Sequence, residues 1–185
     1  MAVNQGVRPG GRSARVQASV HKAVTELLEE RERGELTVPL IAARAGVTPS
    51  TIYRRWGDLN ELLGDVALQR IRPDGEPTDT GSLKGDLLAW GIQYMEETAS
   101  VPGRAVVLDL LAAGGCSGRC LEIARAQFGI LLERALARGE PVPDEDRIVD
   151  RLVAPLVYRI LFSNQALHEG YVEVLVDGVL EGVAS

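Results

Sequence analysis

The 185-residue sequence predicts an all-α protein of about nine helices, with an N-terminal helix-turn-helix domain over 1–72 and a C-terminal helical domain over 73–185. Three observations carry that expectation. Apolar residues recur three and four positions apart along most of the chain, and no stretch of any length alternates with period two. Glycine- and proline-rich breaks punctuate the pattern, chief among them "RPDGEPTDTGS", "GGCSG" and "GEPVPD". The stretch 37–56, "TVPLIAARAGVTPSTIYRRW", has the make-up of two short helices joined by a tight turn.

Composition bounds the reading. Hydrophobic residues make up 45% and charged residues 25%, as in a globular soluble chain. No apolar run approaches the roughly 18 residues of a membrane span. The opening "MAVNQGVRPGGRSAR" has no apolar h-region, so no signal peptide and a cytoplasmic location are expected. Two cysteines make no disulfide framework. The net charge of −6 conceals an asymmetry: residues 1–72 carry +3 and residues 73–185 carry −9. Arg8, Arg12 and Arg15 stand in an opening free of acids, which places a polyanionic partner at the N-terminal end.

In order along the chain, Val16, Val20, Ala23, Val24, Leu27 and Leu28 give a first helix over about 13–31 one apolar stripe. Ile41, Ala42 and Ala45 face inward on the next helix, and Gly46 stands where its end needs positive φ. Thr48 is the expected N-cap of the following helix, and Pro49 its first residue. At about 100° per residue, Ile52 and Trp56 fall together on the inner face of that helix. Ser50, Thr51, Arg54 and Arg55 fall outward, with Tyr53 on the flank. Hydroxyls and guanidiniums on an outer helix face suit a DNA major groove. The candidate DNA-contacting residues are therefore Thr51, Tyr53, Arg54 and Arg55, with Thr37, Thr48 and Ser50 beside them. Asp58 then caps a fourth helix, with Glu61 three residues on, and that helix ends near Ile71.

The C-terminal part predicts helices over about 83–98, 103–113, 119–138, 145–169 and 171–183. The fourth of these is apolar nearly all round, and a helix covered on all sides needs a partner for one face. Together with the stripe of the last helix, this points to a two-fold homodimer. The expected interface holds Leu152, Leu156, Ile160, Val172, Leu175, Val176 and Val179. Pro155 is expected to kink the first of the two helices or open its hydrogen-bond ladder.

"TVPLIAARAGVTPSTIYRRWGDLNELL" resembles the signature of the TetR family of transcriptional repressors, closely over about 12–71. The segment "RLVAPLVYRILF…GYVEVLVDGVL" is similar to one of its regulatory-domain subgroups. The resemblance implies a dimer built on a four-helix bundle, a fourth helix that links head to body, and an N-terminal arm that reaches DNA. It also implies repression of double-stranded operator DNA, released by a small-molecule effector. Many members carry a phosphate-binding lysine where this chain has Leu59; Arg54 and Arg55 are the nearest replacements for its charge. A pocket among the central helices is implied as well. Its candidates here are the rarer large side chains Trp90, Tyr94, Met95, Phe128, Tyr158 and Phe162, for a largely apolar, uncharged or weakly basic effector.

Other constellations are thin. Cys116 and Cys120 are four apart but lack the further ligands of a zinc site, so no metal and no cofactor are expected. His21 reads as a surface or satisfied core residue, and His168 as a residue near a helix C-terminus, where its charge would suit the dipole. "GGCSG" lacks the lysine and hydroxyl of a phosphate loop. An all-helical enzyme with a basic head would need a catalytic constellation that the sequence does not offer, so no enzyme is expected. An architectural DNA-binding protein without an effector is the alternative to a ligand-responsive regulator.

Overall fold

The apolar stripe of α1 (Gly11–Glu30) is the floor on which the first unit is built, with Val20, Val24 and Leu27 fully buried. The computed structural model describes residues 11–72, 75–114, 117–163 and 165–183. The expected arm residue Arg8 and the thiol of Cys116 lie outside them. A short 3-10 turn (Arg33–Glu35) leads to α2 (Val38–Ala45), α3 (Pro49–Trp56) and α4 (Leu59–Arg70). Ile41 and Ala42 of α2, Ile52 of α3, and Leu62 and Leu63 of α4 close over the α1 stripe. Thr37 caps α2 by accepting from the Leu40 N–H at 3.4 Å. Gly46, at φ 69°, ends α2: its N–H donates to the Ala43 carbonyl and that of Val47 to the Ala42 carbonyl, the paired bonds of a left-handed cap. Asp58 accepts from the Glu61 N–H at 2.9 Å and caps α4.

Two compact units divide the chain, one ending at Val66 and the other beginning at Ala67. The division falls within α4, upstream of the connector at 73. Ala67 and Leu68 belong to the second unit because they are buried with Val106, Leu110 and Ala113 of that unit. Its helices are α5 (Leu83–Ala99), α6 (Val101–Ala112), α7 (Ser117–Ala137), α8 (Glu145–Ile148), α9 (Ala154–Phe162) and α10 (Glu169–Leu180). A π turn (Val149–Val153) joins α8 to α9 into one continuous run. Counted that way, the described residues hold nine α-helical rods and no strand.

Pro155 accounts for the π turn. It has no N–H to offer the preceding turn, and the ladder widens so that the Ala154 N–H reaches back to the Val149 carbonyl. The run then stops at Phe162 rather than continuing to Glu169. Ser163 turns extended and its hydroxyl accepts from the Gln165 N–H at 3.1 Å, a local bond that competes with the helix. His168 consequently caps the N-terminus of α10, its Nδ1 accepting from the Tyr171 N–H at 3.2 Å, and is not near a helix C-terminus.

The segment from Glu76 to Ser82 is strapped to its own unit by two arginines of α7 and the following turn. Arg134 donates to the Pro77 carbonyl and to Glu76, each at 2.7 Å. Arg138 donates to Asp79, Asp86 and Glu140 at 3.1, 2.9 and 2.6 Å. Asp86 is wholly buried, and its other oxygen accepts from the Thr80 N–H and hydroxyl at 2.6 and 2.7 Å. Gly85 makes the approach possible, since a Cβ there would collide with the Thr80 hydroxyl.

Candidate nucleic-acid interface and effector site

On α3, Ile52 is the one fully buried side chain, and Trp56 is half-buried a turn later. Everything else on the helix is set by that inner pair. Ser50 and Arg54 are exposed and Tyr53 is half exposed, so positions i, i+3 and i+4 form the open outer face. Arg54 has no hydrogen-bond or ion-pair partner among the described residues. Thr51 is half-buried. Thr48 occupies the N-cap position, but its hydroxyl is turned to those of Ser50 and Thr51 at 2.9 and 3.0 Å rather than to a backbone N–H. The three hydroxyls form a compact polar cluster at the start of the helix.

Arg55 is exposed, as the outward reading expects, and is also engaged by α1. It donates to the Ser13 carbonyl and hydroxyl at 3.1 and 2.8 Å and to Gln17 at 2.9 Å, and its guanidinium lies 5.3 Å from the Trp56 ring centre. It fastens α3 to the first turns of α1. Arg54 is thus the guanidinium of the pair without a partner among the described residues. Arg54→Ala should weaken operator binding by about 1–3 kcal/mol if it reads a base edge. A fall that is even across sequences, with a reduced salt slope, marks a phosphate contact instead. Titration on operator and scrambled duplexes at several salt concentrations separates the two.

Beneath this face lies a polar group that the sequence reading missed. Asp65 of α4 accepts from Gln17, His21 and Trp56 at 3.2, 2.9 and 2.9 Å. His21 is buried and satisfied there. The available signal was Gln17 and His21 one turn apart beside the stripe of α1, with Asp65 amid Leu62, Leu63 and Val66.

In the second unit the six candidate pocket residues separate. Trp90 stacks on Tyr94 with ring centres 5.0 Å apart and meets Phe128 edge-on at 4.7 Å. Met95 and Phe128 are buried in the same core. The Tyr94 hydroxyl lies near Thr98 and the Cys120 thiol, and its pKa is pushed up to about 12, first by burial and then by that thiol. Burial likewise raises Cys120. Met95 also lines a cleft of about 550 Å³ with Glu96, Ala99, Leu167, His168, Glu169 and Gly170.

Tyr158 and Phe162 do not join this set. They pair with each other at 5.1 Å and stand 65% and 73% exposed. Leu156 and Ile160 turn inward, and residues two positions further on point some 200° away on a helix. The interface candidates change for the same reason. Leu152, Leu156, Ile160, Val172, Val176 and Val179 are buried within this chain's own core, and Leu175 is half-buried. The large apolar side chains exposed on these helices, among the described residues, are Tyr158, Phe162 and Val174.

A capped helix-turn-helix with a polar outer face, followed by an all-helical body, defines a DNA-binding transcriptional regulator. Residues 22–66 match the family model described as bacterial regulatory proteins, tetR family, and residues 77–179 match the tetracyclin repressor-like C-terminal domain. The chain belongs to the TetR family of transcriptional regulators. It is 30% identical over 167 residues to an uncharacterised HTH-type transcriptional regulator of Mycobacterium tuberculosis, with 85% of this chain and 83% of that protein covered. To the DNA-binding transcriptional repressor TetR of Mycobacteroides abscessus it is 29% identical over 150 residues, covering 76% and 78%. Its fold matches the crystal structure of the TetR family transcription regulator SCO0332 with a TM-score of 0.72 at 26% identity, covering 92% of this chain and all of that one. Regulators of this family bind operator DNA and act as dimers.

Proposed function

We propose that this chain is a homodimeric, cytoplasmic repressor, released from its operator when a small, largely apolar effector binds the second unit. DNA is gripped through Ser50, Thr51, Tyr53 and Arg54, with Thr37 and Thr48 at the helix starts, within a DNA-binding region of residues 1–72. Residues 73–185 regulate and dimerise. The observation that carries the effector reading is the aromatic set of Trp90, Tyr94 and Phe128, whose polar handle is the half-buried Tyr94 phenol. Met95 joins that set to the cleft, and the carboxylates of Glu96 and Glu169 at the cleft favour an uncharged or weakly basic molecule over an anion. The name of the Mycobacteroides relative supports repression as the sign of control.

An effector shifts DNA affinity only if it binds the DNA-free and DNA-bound forms differently, and operator DNA must then weaken effector binding by the same factor. Tyr94→Phe removes the hydroxyl and keeps the ring. It should weaken the effector response several-fold while effector-free operator affinity stays at the wild-type value. The experiment is a compound screen by thermal shift and Trp90 fluorescence, followed by DNA release with the hits. Ligands that bind there without moving DNA affinity would refute the coupling. An absence of ligands in the presence of tight operator binding would favour the architectural alternative.

A further inference from the structure

We infer that Asp65 sets the rotation of the recognition helix and so is a positioning residue for operator specificity. The inference rests on the assignment of α3 as the DNA-reading element. Packing holds this eight-residue helix through few side chains, Ile52 fully buried and the half-buried Trp56 ring beside it. A directional polar bond one turn from Ile52 adds to that packing and sets the rotation more sharply than apolar contact does. The indole N–H of Trp56, the last residue of α3, donates to Asp65 Oδ2 at 2.9 Å. The same oxygen accepts from His21 Nε2 at 2.9 Å and Gln17 Nε2 at 3.2 Å, both on α1. Gln17 in turn accepts from Arg55 at 2.9 Å, so two successive residues at the end of α3 are tied to one carboxylate. The site is largely closed to water, with the His21 and Asp65 side chains 10% and 15% exposed.

The geometry makes this a matter of specificity rather than of charge. Turning a helix by about 20° moves atoms at the ~6 Å radius of its side chains by about 2 Å. A hydrogen bond to a base edge tolerates only tenths of an ångström around its 2.7–3.2 Å range, whereas a cation's attraction to the phosphate backbone survives such a shift. Losing the Asp65 anchor therefore impairs base reading by Ser50, Thr51 and Arg54 and spares non-specific binding.

The probes are the duplex recovered by selection from a random DNA pool and a scrambled duplex of equal length. Tight wild-type binding to the selected duplex tests the DNA-reading assignment separately. Asp65→Ala and Trp56→Phe should each lower the ratio of operator to scrambled affinity by about 10- to 100-fold, with scrambled affinity within about threefold of wild type. The double variant should lose clearly less than the sum of the two singles, since the Trp56–Asp65 bond is lost in both. Asp65→Asn keeps an acceptor for the indole and should recover part of the ratio. Should Asp65→Ala fail to show a native circular dichroism spectrum and melt, Trp56→Phe decides the matter. An unchanged ratio in folded variants would overturn the inference, as would a parallel loss on both duplexes or additive losses in the double variant.

Discussion

Asp86→Ala is expected to destabilise the second unit by about 3–5 kcal/mol, toward the lower end because the Arg138 side chain remains 24% exposed and can regain water. The carboxylate is wholly buried and holds Thr80 and Arg138 at once. Its removal leaves the Thr80 N–H without its acceptor and the Thr80 hydroxyl with only the Ser82 carbonyl at 3.2 Å, and it loosens the strap from Glu76 to Ser82. The pH dependence has a definite sign. Burial pushes the Asp86 pKa up, but the Thr80 N–H and hydroxyl and the Arg138 guanidinium outweigh it and hold the carboxyl below its ordinary value. Glu140 is lowered too, by the Leu83 N–H first and then by Arg138. A depressed folded-state pKa gives stability that is complete above the ordinary carboxylate value and is lost as pH falls through the folded value. Asp86→Asn should therefore be less stable than wild type at pH 7, and the gap should narrow under acid. Urea unfolding followed by circular dichroism and Trp90 fluorescence at both pH values is the check. A gap that stays constant would show that the charge of Asp86 is not what stabilises the strap.

Phe162→Glu or Val174→Glu is expected to yield a folded monomer with at least a hundredfold weaker operator binding, because paired half-sites need two heads held together. Both side chains are large, apolar and exposed on the last two helices, at 73% and 66%. The physical cost arises in the dimer, where the new carboxylate would sit unpaired in an apolar contact. Val176→Glu is the contrasting control: Val176 is fully buried within the chain, so a charge there should unfold the body rather than separate two folded protomers. Sedimentation and thermal melts distinguish these outcomes. Variants at 162 and 174 that sediment as wild-type dimers would move the interface elsewhere.

The DNA-binding turn was legible in the sequence because its determinants are local. A glycine that reaches positive φ, a proline at the first helical position, and the inward pair Ile52 and Trp56 act within a few residues of one another. Helix existence was legible for the same reason, through periodicity and breakers. Periodicity tells which side chains share a face, but not what that face meets. The stripe of Leu152, Leu156 and Ile160 could be covered by a partner or by the chain itself; only the fold decided that it is internal, with Leu152 and Leu156 in one core with Val172 and Val176 and Ile160 1% exposed. Tyr158 and Phe162, taken for pocket residues on chemistry, were left outside by that same choice. The clearest divide runs between Arg54 and Arg55. They are neighbours of one residue type, yet one is free on the outer face and the other is committed to Ser13 and Gln17 on a helix some forty positions earlier. Asp65 belongs with them. Its partners lie 48, 44 and 9 residues away, so composition and spacing alone could identify the helix that reads DNA, while the tertiary fold decided what holds that helix at its angle.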